Sequence, residues 1–278
     1  MIIDVFHFFN ELEMLEYRLE YMYPQVDKIV IVEGDITHAG HAKPKNFSEE
    51  RFAKYMDKIV YKLAKLPLTK EECDAYGRTK GSSKWGDPAL RDYAQREAAQ
   101  DVLKEMNLDD KDIIIFSDLD EIPNMDKLKS SFRKGCVNYL VQHLFYQCYH
   151  YYANDRWIKS YAVEYGLFKK HHPDVMRLRE QMGTQNIFIL DGGWHLSYFG
   201  DANRMQIKLS NFCHQEEAIQ RHNKLEHLKE SLRNHRLYYT QAEPTILLDD
   251  DMSNFPAAFT LPPNVAYLKQ HFGKCKEV

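Results

Sequence analysis

The chain has 278 residues, of which 44% are hydrophobic, 13% aromatic and 28% charged, and its formal net charge is −4. This length and apolar content allow a large buried core and exclude an intrinsically disordered chain. The slightly acidic balance gives no general attraction to nucleic acid or to anionic lipid, so no nucleic-acid partner is expected. Any anionic ligand must therefore be bound by local basic groups.

The cysteines and the longest apolar runs indicate the cellular setting. The five cysteines are widely spaced without a Cys-x-x-Cys pair, so neither a disulfide framework nor a zinc ribbon is predicted. The amino terminus has no basic leader, and no apolar run reaches the roughly 18 residues of a membrane span. We therefore expect a soluble, cytoplasmic protein without an integral membrane segment.

The first segment of the chain has the pattern of a βαβ unit. Ile2 to Phe8 is an apolar run typical of a strand, and Lys28 to Val32 is a second one. Between them Asn10 is expected to cap a helix, in which apolar residues recur at helical spacing from Leu12 to Met22. Such a unit predicts an α/β fold with a mostly parallel sheet and functional loops at the strand ends.

Further elements follow in the same α/β pattern. Residues 58–63 are predicted to form a third strand, whereas residues 66–85 lack periodicity and are interpreted as an insertion or lid. Asp87 is the predicted N-cap of a helix that has Pro88 at its first position. This helix leads into the next apolar run at Ile113–Phe116.

The run Ile113–Phe116 is followed at once by acidic residues. Four apolar residues predict a strand buried on both faces, and Asp118, Asp120 and Glu121 come directly after it, so the strand must reach the surface there. Two aspartates with one residue between them can bracket a divalent cation that carries a diphosphate. The alternative is a solvated acidic turn closed by Pro123.

The second half of the chain contains aromatic and basic segments. Residues 137–152 are rich in tyrosine and phenylalanine, which indicates either core packing or a carbohydrate groove. Ile187–Leu190 is a further apolar strand, and His195, shortly after it, is a candidate ligand of Mn²⁺. Residues 201–228 are predicted to be helical with several basic groups, and residues 243–278 to form an irregular tail.

Taken together, the motifs resemble those of glycosyltransferase family 17. The matching pieces occur in order and are Phe8-Phe9-Asn10-Glu11, Leu15 to Leu19, Val32-Glu33 with Thr37-His38 and Gly40, Arg91-Asp92 with Gln95-Arg96, Ser117 to Pro123, and Gly193-Trp194-His195. The resemblance implies a single GT-A (Rossmann-like) domain over residues 1–278. Its nucleotide-binding half would be 2–123 and its acceptor and metal half 124–230.

The resemblance also implies a reaction and its partners. The enzyme would transfer a sugar from a UDP-sugar, with inversion, to a hydroxyl of a glycan or glycoprotein acceptor in the presence of Mn²⁺ or Mg²⁺. The sugar would be GlcNAc by resemblance, and xylose, glucose and galactose stay open. The expected metal ligands are Asp118, Asp120 and His195, and the expected donor-binding residues are Glu33, Thr37, His38, Arg91, Arg96, Asp118 and Lys208.

Inversion requires a general base for the acceptor hydroxyl, usually a carboxylate. Asp191 is the first candidate because it follows a predicted strand four residues before His195, and Glu164 and Glu180 are the others. Two other functions are weighed against the transferase. One is a haloacid-dehalogenase-like phosphohydrolase, which also has an Asp-x-Asp motif after a strand, and the other is a non-catalytic carbohydrate-binding module.

Overall fold

The computed structural model describes residues 1–80, 86–179, 183–234, 236–239 and 246–272. Within these ranges one sheet contains the strands β1 (Ile2–Phe8), β2 (Lys28–Gly34), β3 (Ile59–Ala64), β4 (Ile113–Asp118), β5 (Glu121–Pro123), β6 (Val137–Tyr146), β7 (Tyr151–Trp157), β8 (Tyr161–Glu164), β9 (Asn186–Ser197) and β10 (Ile246–Leu247). The helices are α1 (Leu12–Met22), α2 (Lys70–Thr79), α3 (Asp87–Glu105), α4 (Met125–Ser131), α5 (Tyr165–Phe168), α6 (Pro173–Arg177), α7 (Ala202–Asn211), α8 (Glu217–Gln220), α9 (Leu225–Arg233) and α10 (Val265–Phe272), with a 3-10 helix at Ala53–Tyr55.

The strands follow the order β10-β7-β6-β8-β4-β1-β2-β3, and β9 pairs with β5 and β6. The neighbours β3, β2, β1 and β4 are all parallel, whereas β8 runs antiparallel to β4. β9 is parallel to β6 and antiparallel to β5. The predicted mixed α/β class with a largely parallel central sheet is therefore confirmed.

Both faces of the sheet are covered, as the strand sequences require. Along β1 the side chains of Ile3 and Val5 enter one apolar cluster, and those of Phe6 and Phe8 enter another on the opposite face. Helix α3 covers the first cluster, while α1, α4 and α10 contribute to the second. Successive residues of a strand point to opposite faces, so a strand buried on both faces has a continuous apolar run.

Three predicted boundaries differ from the structure. The N-cap of α1 is Glu11 rather than Asn10, and Gly86 rather than Asp87 precedes α3. Asn and Asp are preferred at N-caps because their side chains bond the first amides of the helix. Neither of these two caps makes a side-chain hydrogen bond, so the preference does not apply. β9 continues beyond the predicted apolar run because its glycine-rich half pairs with β5 and β6.

Two segments predicted to be irregular contain regular structure. Residues 70–79 form α2, which begins with a reciprocal capping box between Thr69 and Glu72; residues 81–85 lie outside the described ranges. In the predicted tail, β10 pairs with β7 and α10 contributes to the core. The predicted helical stretch 201–228 is divided among α7, α8 and the first turn of α9. No helix in the described ranges is long and apolar enough to cross a membrane.

Candidate active site

A cavity of about 740 Å³ opens at the carboxyl ends of β1, β2 and β4. This edge is where open α/β sheets bind ligands, because the loops that follow the strands converge there. Helices α3, α6 and α7 contribute the opposite walls. The charged side chains that line the cavity are Glu11, Lys43, Asp92, Arg96, Asp118, Asp120, Lys159, Asp174, Arg177 and Lys208.

The turn after β4 is held in place by one buried arginine. Arg18 of α1 forms an ion pair with Asp4 of β1, and both side chains are completely buried. The same guanidinium donates hydrogen bonds to the main-chain carbonyls of Asp118, Leu119 and Glu121 at 2.8, 3.1 and 3.0 Å. Arg18 therefore satisfies three backbone acceptors of the acidic turn, whose residues Asp118 and Asp120 line the cavity.

Asp118, at the end of β4, is enclosed by two arginines. Arg96 of α3 lies 3.2 Å from its Oδ1, and Arg177 of α6 bonds its Oδ2 and also Glu121. Burial raises the pKa of Asp118 above its ordinary value although both arginines act against this shift. Both of its oxygens therefore bond arginines, while 33% of the side chain stays exposed to the cavity.

Asp120 lies between a lysine and a histidine. Lys208 Nζ of α7 is 2.8 Å from Asp120 Oδ2, and His195 Nε2 of β9 is 3.6 Å from Asp120 Oδ1. Burial alone would raise the pKa of Asp120, but Lys208 and His195 hold it below its ordinary value. The ring of Trp157 packs 4.5 Å from that of His195, centroid to centroid. An ionised carboxylate and an imidazole thus meet in one wall of the cavity.

The structure brings together two of the three predicted metal ligands. Among the residues that it describes, no three His, Cys, Asp or Glu side chains gather in a way that could hold a metal ion. Asp118 does not join the set because it bonds Arg96 and Arg177. Asp120 and His195 supply the oxygen and nitrogen donors that suit Mn²⁺. The buried Nδ1 of His195 has no hydrogen-bond partner in the described ranges, so the ring is not committed to the protein through that atom.

Two predicted donor-binding residues, Thr37 and His38, line the cavity in the loop after β2. Thr37 Oγ1 accepts a hydrogen bond from the amide of His41, which closes this loop. His38 Nε2 is 2.6 Å from Gln95 Oε1 and 3.9 Å from Asp92. Burial acts to lower the pKa of His38, but Cys213 and then Asp92 raise it overall.

Glu33, which the sequence predicts to bind the donor, does not line the cavity and is held by contacts within the protein. Its side chain is fully buried and accepts hydrogen bonds from the amides of Asn46 and Phe47, at 2.7 and 3.1 Å, and from the Tyr61 hydroxyl at 2.8 Å. The Lys43 ammonium also pairs with it. Both carboxylate oxygens are therefore used to fold the loop back on β2.

Arg91 also lies outside the cavity. Its guanidinium donates to the carbonyls of Pro67, Leu68 and His38 at 2.8, 3.0 and 3.0 Å. It therefore joins the loop after β2 to the segment before α2. The predicted role in binding the diphosphate is not supported, because these donors are already used by main-chain acceptors.

We expect Arg91→Met to destabilise the fold by about 2–3 kcal/mol, because three carbonyls lose a charged donor. UDP affinity should change less than twofold, since the side chain does not line the cavity. Chemical denaturation and calorimetry measure the two quantities, with Arg78→Met at an exposed position of α2 as the control. A large loss of UDP affinity in the folded variant would show that Arg91 contributes to donor binding.

The predicted base Asp191 lies outside the large cavity. Its carboxylate accepts a hydrogen bond from Thr260 Oγ1 at 2.7 Å and lies 2.9 Å from His143 Nε2. Glu164 is paired with Ile113 at the start of β4, which is the opposite end of that strand from the cavity. Glu180 lies outside the described ranges. The geometry therefore supports neither Asp191 nor Glu164 as the base.

Several cavity residues belong to no motif that the sequence revealed. Arg177 and Asp174 come from the short helix α6, whose sequence has no strong helical pattern. His7 of β1 is kept neutral, since burial and then Arg96 lower its pKa well below its ordinary value. The sequence does contain the signal of one buried ion pair. Asp4 lies within an apolar strand and Arg18 on an apolar helix face, and opposite charges at two such positions predict a pair in the core.

One of the comparisons with known proteins identifies the family of the chain. No curated protein matches the chain. One similar solved structure is a crystal structure of 4-diphosphocytidyl-2C-methyl-D-erythritol synthase, which is 9% identical, covers 68% of this chain and 88% of that chain, and has a TM-score of 0.37. The sequence of residues 1–233 matches glycosyltransferase family 17. The chain therefore belongs to glycosyltransferase family 17 and is a glycosyltransferase.

Proposed function

We propose that this enzyme has a GT-A fold and transfers a sugar, with inversion, from a UDP-sugar to a hydroxyl of a glycan acceptor. The observation that carries the proposal is the cavity at the carboxyl ends of the parallel strands, where Asp120, His195 and Lys208 converge. Family membership suggests a nucleotide-sugar donor and favours a transferase over both the phosphohydrolase and the non-catalytic module.

The shape and lining of the cavity suit such a donor. Its volume of about 740 Å³ is within the range of small-molecule sites, roughly 300–1,000 Å³. Phe9, Trp157 and Phe212 supply aromatic faces against which a uracil or a sugar ring can pack. The charged groups between these faces can then meet the diphosphate.

Lys208 is the basic residue best placed for the leaving diphosphate. Burial acts to lower its pKa, but Asp120 and Glu11 raise it above its ordinary value, so the side chain stays cationic. Arg96 and Arg177 are each shared among several carboxylates and are therefore less available. A donor that displaced the Lys208–Asp120 contact would gain a charged hydrogen bond to its phosphate oxygens.

A divalent cation would be held by Asp120 and His195. It would supply positive charge near the leaving diphosphate, where negative charge develops in the transition state. Asp120 is suited to this role because it remains ionised when buried. The cation would be Mn²⁺ or Mg²⁺. Oxygens of the donor would then serve as ligands in place of Asp118.

A panel of nucleotide sugars tests the proposal. We expect UDP-sugars to stabilise the protein thermally in the presence of Mn²⁺, and one of them to release UDP slowly without an acceptor. GlcNAc is the sugar favoured by resemblance, and UDP-glucose, UDP-galactose and UDP-xylose belong in the same panel. A response to GDP- or CMP-sugars alone would overturn the UDP assignment, and hydrolysis of p-nitrophenyl phosphate without donor turnover would favour the phosphohydrolase.

A further inference from the structure

A second cavity of about 250 Å³ lies beside the large one. The two cavities share the lining residues Glu11, Asp120, Tyr198 and Lys208. The remaining lining of the second cavity is mainly apolar, with Leu196, Phe199 and Met205 among its residues. If the large cavity holds the donor, these shared residues lie where a second substrate can approach it.

Glu11 is the shared residue that is least committed to other groups. It immediately precedes α1, and its carboxylate is 3.4 Å from Lys208 Nζ, with a second contact of 3.2 Å to the adjacent amide of Asn10. Its side chain is 28% exposed. Since Lys208 also bonds Asp120, Glu11 and Asp120 lie on either side of one ammonium group.

The other carboxylates that line the large cavity, among the residues that the structure describes, have stronger partners. Arg96 pairs with Asp92, Asp118 and Asp174 at 3.1, 3.2 and 3.1 Å. Asp120 makes the closer bond to Lys208, at 2.8 Å. Glu11 therefore combines a carboxylate, solvent access and a place at the junction of the two cavities.

We propose that Glu11 is the general base and that the second cavity binds the acceptor saccharide; the inference rests on the proposed function. The Glu11 carboxylate takes the proton of the acceptor hydroxyl, whose oxygen forms a bond to the anomeric carbon. The bond between that carbon and the phosphate oxygen breaks, and its electron pair leaves with UDP. Lys208 turns from Glu11 to the diphosphate, which frees the carboxylate as negative charge develops on the leaving group.

The lining of the second cavity specifies the class of acceptor. The C–H face of a sugar ring packs against Phe199 and Ile207, and the Glu13–Arg204 pair, 3.0 Å apart, provides hydrogen-bonding groups for hydroxyls. The carboxylates of Glu11, Glu13 and Asp120 outnumber the cations of Arg204 and Lys208 in this lining, which disfavours a carboxylate on the sugar. The acceptor is therefore a neutral saccharide.

Donor hydrolysis by water tests the base without knowledge of the natural acceptor. We expect Glu11→Gln to lower the kcat for UDP release on the order of 10²-fold, since general-base catalysis contributes about that much. UDP affinity should stay within about twofold. Glu16→Gln, on the exposed face of α1, is the matched control and should retain wild-type turnover. Formate should restore part of the activity of Glu11→Ala by acting as an external base.

The outcomes distinguish a failure of the proposed function from a failure of the assignment of Glu11 as the base. Wild-type protein that neither binds UDP nor hydrolyses any UDP-sugar would overturn the proposed function. Normal turnover by Glu11→Gln in an active enzyme would overturn only the assignment of the base. Loss of activity without rescue of Glu11→Ala by formate would show that Glu11 acts through Lys208, and would also overturn it.

The acceptor site is tested with methyl β-glycosides of glucose, galactose, mannose and N-acetylglucosamine, each added to the hydrolysable UDP-sugar. We expect at least one to accelerate UDP release, and methyl β-glucuronide not to do so. Ile207→Trp should narrow the cavity from a half-exposed position and abolish the acceleration, with UDP affinity retained. Acceleration by none of the neutral glycosides, or unchanged acceleration in Ile207→Trp, would overturn the assignment of the site.

Discussion

On the proposed function, Asp120→Asn should abolish the gain in UDP affinity expected from Mn²⁺ and lower donor turnover by about 10²–10³-fold. The size of the effect follows from removing a preorganised electrostatic group next to the leaving diphosphate, since the loss of one such group costs about that much. Asp120 is buried, ionised and in contact with both His195 and Lys208. No other described side chain takes its place between them.

Calorimetry with UDP, in Mn²⁺ and in EDTA, measures the binding part of this prediction. In EDTA the variant should bind UDP as tightly as the wild type or more tightly, because one negative charge near the diphosphate is gone and Lys208 is released. Mn²⁺ should then add nothing. Equal UDP affinity of the wild type in EDTA and in Mn²⁺ would contradict the metal assignment.

Asp191→Asn is the matched control for Asp120→Asn. The chemical change is the same, and Asp191 lies outside the large cavity with its carboxylate bonded to Thr260. Its φ of +53° is one that asparagine adopts more readily than most residues, so the backbone should tolerate the change. Near-normal turnover is expected, whereas a loss comparable to that of Asp120→Asn would return Asp191 to the active site.

Arg18→Met should destabilise the protein by about 3–5 kcal/mol, the usual cost of removing one partner from a buried ion pair. The substitution leaves the Asp4 carboxylate unpaired in the interior and removes the donor to three carbonyls of the acidic turn. Chemical denaturation measures the change in the free energy of unfolding. Arg51→Met removes an exposed ion pair with Glu16, which lies on the same helix as Arg18. This substitution should cost at most about 1 kcal/mol.

Arg18→Met should also weaken UDP binding in the presence of Mn²⁺, under conditions where the variant is folded. The reason is that Arg18 positions the turn that carries Asp120 without touching the cavity itself. The double variant Arg18→Met with Asp4→Leu should recover part of the stability, because the buried charge is then gone, but not the UDP affinity. A cost no greater than that of Arg51→Met would contradict the central role given to this pair.

The sequence by itself determined the order of the main elements and the position of the acidic turn. The strands β1, β2 and β4 lie within two residues of the predicted runs, because strands buried on both faces need continuous apolar stretches. It also indicated where Asp120 leaves the core, because polar residues directly after such a strand have to do so. These conclusions depend on local pattern alone, which a single sequence contains.

Only the tertiary structure decided which polar side chains face the cavity. Asp118 bonds Arg177, 59 residues away, and Asp191 bonds Thr260, 69 residues away. Glu33 and Arg91 also occur in motifs that predict donor binding, yet their side chains form hydrogen bonds with the protein itself. A charged group is open to a ligand only where its protein partners leave part of it facing the cavity. Such partners come from distant segments, whose arrangement is a property of the whole packed sheet and not of local sequence pattern.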